Sequence, residues 1–67
     1  MTPDEAKTAF YGENPVVHDR IVYSRISALI YRKIKGGSTY LALELEDKNK
    51  RSYTIALPDR VKLYEEE

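Results

Sequence analysis

The chain has 67 residues with 11 basic and 11 acidic side chains, so its net charge is zero and no bulk field draws it to a polyanion. It has no cysteine and one histidine, which excludes disulfides and the usual Cys/His zinc sites. No apolar run is long enough to cross a bilayer, and the N-terminus is acidic where a secretory signal would be basic. We therefore expect one small cytoplasmic domain without membrane association, metal or cofactor.

Residues 1–14 predict a short α-helix and a linker. Thr2 can cap the helix, Pro3 fits its first position, and Glu5 can complete a capping box. The apolar face consists of Ala6, Ala9 and Phe10. Gly12 is expected to end the helix, which should pack on the β structure because so short a helix is marginal alone.

Two short apolar segments open the predicted β region, which spans residues 15–64. Val16-Val17 and Ile21-Val22-Tyr23 flank His18-Asp19-Arg20, a pattern that favours a tight hairpin although it contains no glycine. Residues 26–34 follow and are apolar on both faces. We expect this strand to bend around the core, with its irregularity at Ser24-Arg25.

A second hairpin is predicted after the Gly36-Gly37 turn. Alternate leucines on its first strand predict one buried face: Leu41, Leu43 and Leu45. Its solvent face is expected to carry Tyr40, Ala42, Glu44 and Glu46. On the second strand, residues 51–57, the inward side chains are predicted to be Tyr53, Ile55 and Leu57. Pro58 then predicts a corner or one helical turn before a last strand at Val61 and Leu63, and residues 65–67 predict a disordered acidic tail.

This order of elements resembles the SH3-like small barrels: an early hairpin, a bent strand, two regular strands and a single turn before the last strand. More narrowly, residues 23–33, 43–47 and 53–58 with Val61 are similar to short uncharacterised proteins of Gram-positive gut bacteria, which often lie near mobile genetic elements. The likeness spans about residues 15 to 63. It implies a mainly β fold, a five-stranded SH3-like small barrel with a short N-terminal α-helix, and it carries over no functional residue.

Cations beside tyrosines form the candidate binding site. Residues 16–62 contain ten basic and five acidic side chains between more acidic ends. The candidate contacts are Tyr31, Arg32, Lys33, Arg51 and Tyr53. Tyrosine rings flanked by cations can stack on bases and contact phosphates, but tyrosine is also a common wall residue of small β cores.

No catalytic site is predicted. Glu44 and Glu46 share a face, yet alternation puts them in solvent, opposite Arg51 or Lys62. His18 beside Asp19 has no plausible nucleophile. We therefore predict a non-enzymatic interaction module that binds another protein, with nucleic-acid binding and structural homo-oligomerisation as the alternatives, and a monomer or homodimer as the state in solution.

Overall fold

The computed structural model describes residues 1–65. Helix α1 spans Pro3–Gly12, and the strands are β1 (Val16–His18), β2 (Ile21–Tyr23), β3 (Arg25–Lys33), β4 (Thr39–Glu46), β5 (Tyr53–Ala56) and β6 (Val61–Leu63), with a 3-10 turn at Pro58–Arg60. The mainly β class and the short N-terminal helix are therefore confirmed.

Of the tail predicted to be disordered, residues 66 and 67 lie outside the described range. No helix in residues 1–65 is long and apolar enough to cross a membrane.

The strands form two three-stranded antiparallel sheets that do not close into a barrel, and the prediction of a five-stranded small barrel is wrong in strand number. The smaller sheet has the order β2-β1-β6 and the larger sheet β3-β4-β5. Residues 1–65 contain six strands because the predicted bent strand divides at Ser24. The Ser24 N–H donates to the Glu46 carbonyl at 2.9 Å, and the Ser24 hydroxyl lies 3.0 Å from the same oxygen. The chain passes from the smaller sheet to the larger one at Ser24, and these bonds fix that residue against β4.

The β1–β2 hairpin forms without glycine. Asp19 and Arg20 have φ values of 52° and 66°, and His18 pairs with Ile21 directly across the turn. Two successive residues with positive φ are the geometry of a type I′ turn, whose twist matches that of the flanking strands. The predicted tight hairpin is confirmed.

A bulge at Ser27 explains why β3 is apolar on both faces. Ile26 pairs with Leu45 and Leu29 with Leu43, and the register shifts between Ile26 and Ala28. Residues three apart would point to opposite faces of a regular strand, but the extra residue brings Ile26 and Leu29 to the same face. The bulge is a second irregularity, beyond the break at Ser24 that was predicted.

The core lies between the two sheets and the helix. Its largest fully buried side chains are Val16 and Val61 from the smaller sheet and Ile26, Leu43 and Leu45 from the larger one. The prediction that the alternate leucines of β4 are buried is confirmed. Ala42, assigned to the solvent face, is nevertheless 2% exposed.

The predicted inward face of β5 is wrong. Leu43 pairs with Ala56 and Leu45 with Thr54, so these smaller residues face the core. The Tyr23 hydroxyl lies 3.2 Å from Thr54 Oγ1, so the buried Tyr23 side chain reaches this part of β5. The side chains predicted to be inward are exposed: Tyr53, Ile55 and Leu57.

Helix α1 is capped as predicted and packs mainly on β3. The Thr2 N–H donates to Glu5 Oε1 at 2.8 Å, and the Glu5 N–H to Thr2 Oγ1 at 3.2 Å. Ala6 and Ala9 are buried and Phe10 packs on the core. The helix ends at Gly12 as predicted, although the left-handed cap residue is Glu13, with φ 52°.

Candidate interaction surfaces

The five predicted contact residues occupy two separate places. Tyr31, Arg32 and Lys33 lie at the far end of β3, where Tyr31 pairs with Leu41. Arg51 and Tyr53 lie beside the β4–β5 turn, where Tyr53 pairs with Glu46. The two pairing positions are about 17 Å apart along β4 at the usual rise of a strand. The predicted set therefore does not form one continuous surface.

Residues 31–40 form a projecting β-hairpin end, which we call the hairpin tip. Every residue in this range is exposed. β5 pairs with β4 only between Leu43 and Glu46, so the tip is a two-stranded ribbon without a third strand. The protein measures 42 × 24 × 21 Å, an elongation that fits such a projection.

The hairpin tip is basic. It carries Arg32, Lys33 and Lys35, and the sequence has no acidic residue between Arg20 and Glu44. Both ion pairs found within residues 1–65 involve Arg25, so the tip cations have no carboxylate partner in that range.

The two faces of the hairpin tip differ in their side chains. Arg32 pairs with Tyr40, and Lys33 pairs with Thr39. Since alternate residues of a strand point to opposite faces, Tyr31 shares a face with Lys33, and Arg32 shares the other with Tyr40. Tyr31 is 58% exposed and Tyr40 40%. Each face therefore combines a cation with an accessible phenol ring.

Two glycines make the turn of the hairpin tip narrow. Gly36 and Gly37 have φ values of 105° and 94°, and no atom lies within 4 Å of the position that a Cβ would occupy on either. The Ile34 N–H donates to the Ser38 carbonyl at 2.7 Å and closes the turn. As predicted, the glycine pair supplies the backbone freedom for the reversal.

The side of the larger sheet turned away from the core forms a second surface, the outer face. Its apolar side chains are Ala28, Ile30, Tyr40, Ala42, Tyr53, Ile55 and Leu57. Ile30 pairs with Ala42, and Ile55 lies on the same side because it pairs with Glu44. Leu57 follows β5 in extended backbone, so alternation places it on that side as well. Ile55 is 49% exposed and Leu57 45%. Sequence reasoning missed this surface, since the larger apolar residues of β5 predicted the opposite phase and only the pairing with β4 shows which side chains face out.

Opposite charges flank the apolar centre of the outer face. Arg32 lies beside Tyr40, two positions along β4 from Ala42 toward the tip, and Glu44 lies two positions in the other direction. Glu44 is half-buried, and its Oε1 lies 2.8 Å from the Ser27 hydroxyl. Along β4 from the tip, the outer face is therefore basic at Arg32, apolar around Ala42 and acidic at Glu44.

Glu46 belongs to a buried ion pair rather than to the solvent face that we predicted. Its carboxylate is bound by Arg25, which also reaches Glu13 at 2.9 Å. The hydrogen bond and charge of Glu46 are the main reasons why the pKa of Arg25 is raised. The predicted partners Arg51 and Lys62 are wrong, because the strand beside Glu46 on its other edge presents Arg25.

His18, at the end of the first hairpin, is hydrogen-bonded to the backbone of the 3-10 turn. Its Nδ1 lies 2.9 Å from the Arg60 carbonyl oxygen, which can only accept, so Nδ1 carries the proton. No group of three or more potential metal ligands occurs among residues 1–65.

Comparisons of the chain found no matching family model, curated protein or solved structure.

Proposed function

We propose that this protein is a non-enzymatic protein-interaction module and that its outer face binds a second copy of the same chain. The observation that carries the proposal is the exposure of Ile55 and Leu57 around the buried Ala42. Contiguous apolar patches on soluble proteins commonly mark contact sites. A different protein as the occupant is an alternative that the experiments below distinguish.

The charges of the outer face support a symmetric pairing. A two-fold axis across the strands near Ala42 would bring Arg32 of each copy to the Glu44 side of the other. Packed sheets lie about 10 Å apart, a gap that these two long side chains can bridge. Such an isologous contact is self-complementary in charge as well as in its apolar centre.

The small core also supports self-association. The helix contributes only alanines to the fully buried set, and the large buried side chains come from a few strand positions. A stable interface of about 800 Å² per copy is a modest share of the surface of the protein, which totals 5129 Å². Association would therefore add apolar burial that the single chain lacks.

A mass measurement across a concentration series tests the proposal. We expect light scattering to give the dimer mass at high micromolar concentration, and Ile55→Lys to give the monomer mass. Ile21→Lys is the matched control, because Ile21 is similarly exposed, at 52%, but lies in the smaller sheet. A wild-type monomer at all concentrations, or equal effects of both substitutions, would overturn self-association.

A charge exchange tests the proposed symmetry. Arg32→Glu and Glu44→Arg should each weaken the dimer by placing like charges together, and the double variant should recover much of the loss. If the double variant is as weak as the sum of the two single variants, Arg32 and Glu44 do not meet across the interface.

We also infer that the strands follow an SH3-like order, although they do not close a barrel. The support is the return of β6, after the 3-10 turn, to pair with β1. Amide and α-proton contacts between His18 and Val61 in solution would test this pairing.

A further inference from the structure

We propose that the hairpin tip binds nucleic acid, with its cations on phosphate groups and Tyr31 against a base or sugar. This inference does not depend on the proposed self-association. It rests on the charge, shape and exposure of residues 31–40.

The charge argument begins with the ion pairs of residues 1–65, none of which involves a cation of the tip. Three cations lie within four positions, at Arg32, Lys33 and Lys35, in a stretch of sequence without any acidic residue. The acidic residues nearest to them along β4 are Glu44, which bonds Ser27, and Glu46, which bonds Arg25. Although the net charge of the whole chain is zero, the tip presents a local positive field to an approaching polyanion.

The shape argument concerns the width of the tip. Two paired strands lie about 4.8 Å apart, and a two-stranded β-ribbon fits the major groove of B-DNA, which is about 12 Å wide. The Gly36-Gly37 turn has no side chain at its end, so the backbone can approach a groove closely. A third strand would make the element too wide, and β5 stops at the partner of Leu43, before the tip begins.

The tip and the outer face use largely different sides of the ribbon. Tyr31 and Lys33 point away from the side that carries Arg32 and Tyr40, and Lys35 lies in the turn. Lys33, Lys35 and Tyr31 therefore stay accessible in a dimer formed through the outer face. With the two-fold axis described above, a self-associated protein would carry its two tips at opposite ends.

Fluorescence anisotropy with a labelled DNA duplex and a labelled single strand tests the inference over a salt series. With two to three phosphate contacts, we expect the logarithm of affinity to fall with the logarithm of salt with a slope of about −2 to −3 on duplex. That slope corresponds to a loss of roughly 15- to 60-fold between about 50 and 200 mM salt. No binding to either probe at the lowest salt would overturn the inference.

A matched pair of variants locates the site. Lys33→Gln/Lys35→Gln should reduce the salt slope by about 2. Lys48→Gln/Lys50→Gln removes the same charge from the exposed β4–β5 turn at the opposite end and should leave affinity and slope nearly unchanged. Both variants change exposed side chains, and circular dichroism checks that each remains folded. Equal losses from the two variants would overturn the assignment to the tip.

Substitutions of Tyr31 distinguish stacking of its ring on a base from electrostatic attraction alone. Tyr31→Phe keeps a ring and should keep the affinity for single strands, whereas Tyr31→Leu should lower it roughly tenfold. Binding of the protein to phosphatidylserine vesicles, with no binding to either DNA probe, would overturn the inference and identify a membrane surface as the polyanion.

Discussion

Arg25 and Glu46 face each other across β3 and β4, with Arg25 Nη2 3.1 Å and Nε 3.3 Å from the same carboxylate oxygen, Glu46 Oε2. The two ends of the pair differ in environment, since the side chain of Glu46 is 5% exposed and that of Arg25 41%. A nearly buried carboxylate thus depends on one guanidinium for its compensation. Glu13, at 67% exposure, completes the group on the solvent side.

Removing the cation of this pair should destabilise the protein more than removing both charges. Arg25→Met leaves the Glu46 carboxylate buried without its partner, whereas Arg25→Met/Glu46→Met removes the need for compensation. We expect urea unfolding to give a clearly lower free energy of unfolding for the single variant and a partial recovery for the double variant. Glu13→Gln serves as the control and should cost less than about 0.5 kcal/mol. A single Arg25 variant as stable as the wild type would contradict this account.

The hydroxyl of Tyr23 joins the two sheets, so its removal should lower the free energy of unfolding modestly. Tyr23→Phe keeps the buried ring and deletes the hydroxyl that lies 3.2 Å from Thr54 Oγ1. The free energy of unfolding should fall by about 1 kcal/mol. Tyr53→Phe, at a position 56% exposed, should be nearly neutral. Equal effects of the two substitutions would show that the Tyr23 hydroxyl does not contribute to stability.

Acidification should destabilise the protein through Asp47 and Glu5. The Arg51 N–H, and then the Ser52 hydroxyl, lower the pKa of Asp47 below its ordinary 3.8. The Thr2 N–H, and then the Thr2 hydroxyl, lower the pKa of Glu5 below 4.5. Because a lowered folded-state pKa means that the unfolded chain binds the proton first, this stabilisation is complete above the ordinary values and is lost as pH falls through the folded-state ones.

The acid dependence can be measured by urea unfolding between about pH 6 and pH 3. We expect Asp47→Asn to be less stable than the wild type at the upper end and to lose less stability on acidification. Asp59→Asn, at the exposed 3-10 turn, controls for the loss of one negative charge. Parallel pH profiles for the wild type and Asp47→Asn would count against this role of Asp47.

Replacing glycine by alanine should lower stability at the hairpin tip and raise it in the helix. Gly37→Ala meets open space, but its φ of 94° strains any side chain, so we expect a loss of about 1 kcal/mol. Gly12→Ala in α1 meets only the amide end of the exposed Asn14 side chain, which can rotate away. The better helix propensity of alanine should then stabilise the protein by about 0.5 kcal/mol. Thermal unfolding of both variants checks the signs, and a stabilised Gly37→Ala would refute the strain argument.

Local chemistry explains the parts of the fold that could be predicted from the sequence. The capping box of Thr2 and Glu5 acts within one helical turn, and the leucines of β4 alternate around a single buried face. The 3-10 turn at Pro58 follows from a residue that cannot continue a ladder. In each case the residues that determine the structure are close together in the chain.

Contacts between distant residues decide the parts that were predicted wrongly. The phase of β5 depends on its register with Leu43 and Leu45 and on the Tyr23 ring, which comes from the other sheet. The burial of Glu46 depends on Arg25, twenty-one positions earlier. The candidate contacts remain a prediction, but adjacency in sequence could not show that Tyr31 and Tyr53 pair with positions near opposite ends of β4.

The hairpin tip also has a consequence for how this protein can evolve. Its ten residues, 31–40, are all exposed and none belongs to the core cluster. Most substitutions there should therefore leave folding intact while changing charge, shape and aromatic content. The remainder of the molecule acts as a scaffold for a variable segment, so related sequences could acquire new recognition properties with little loss of stability.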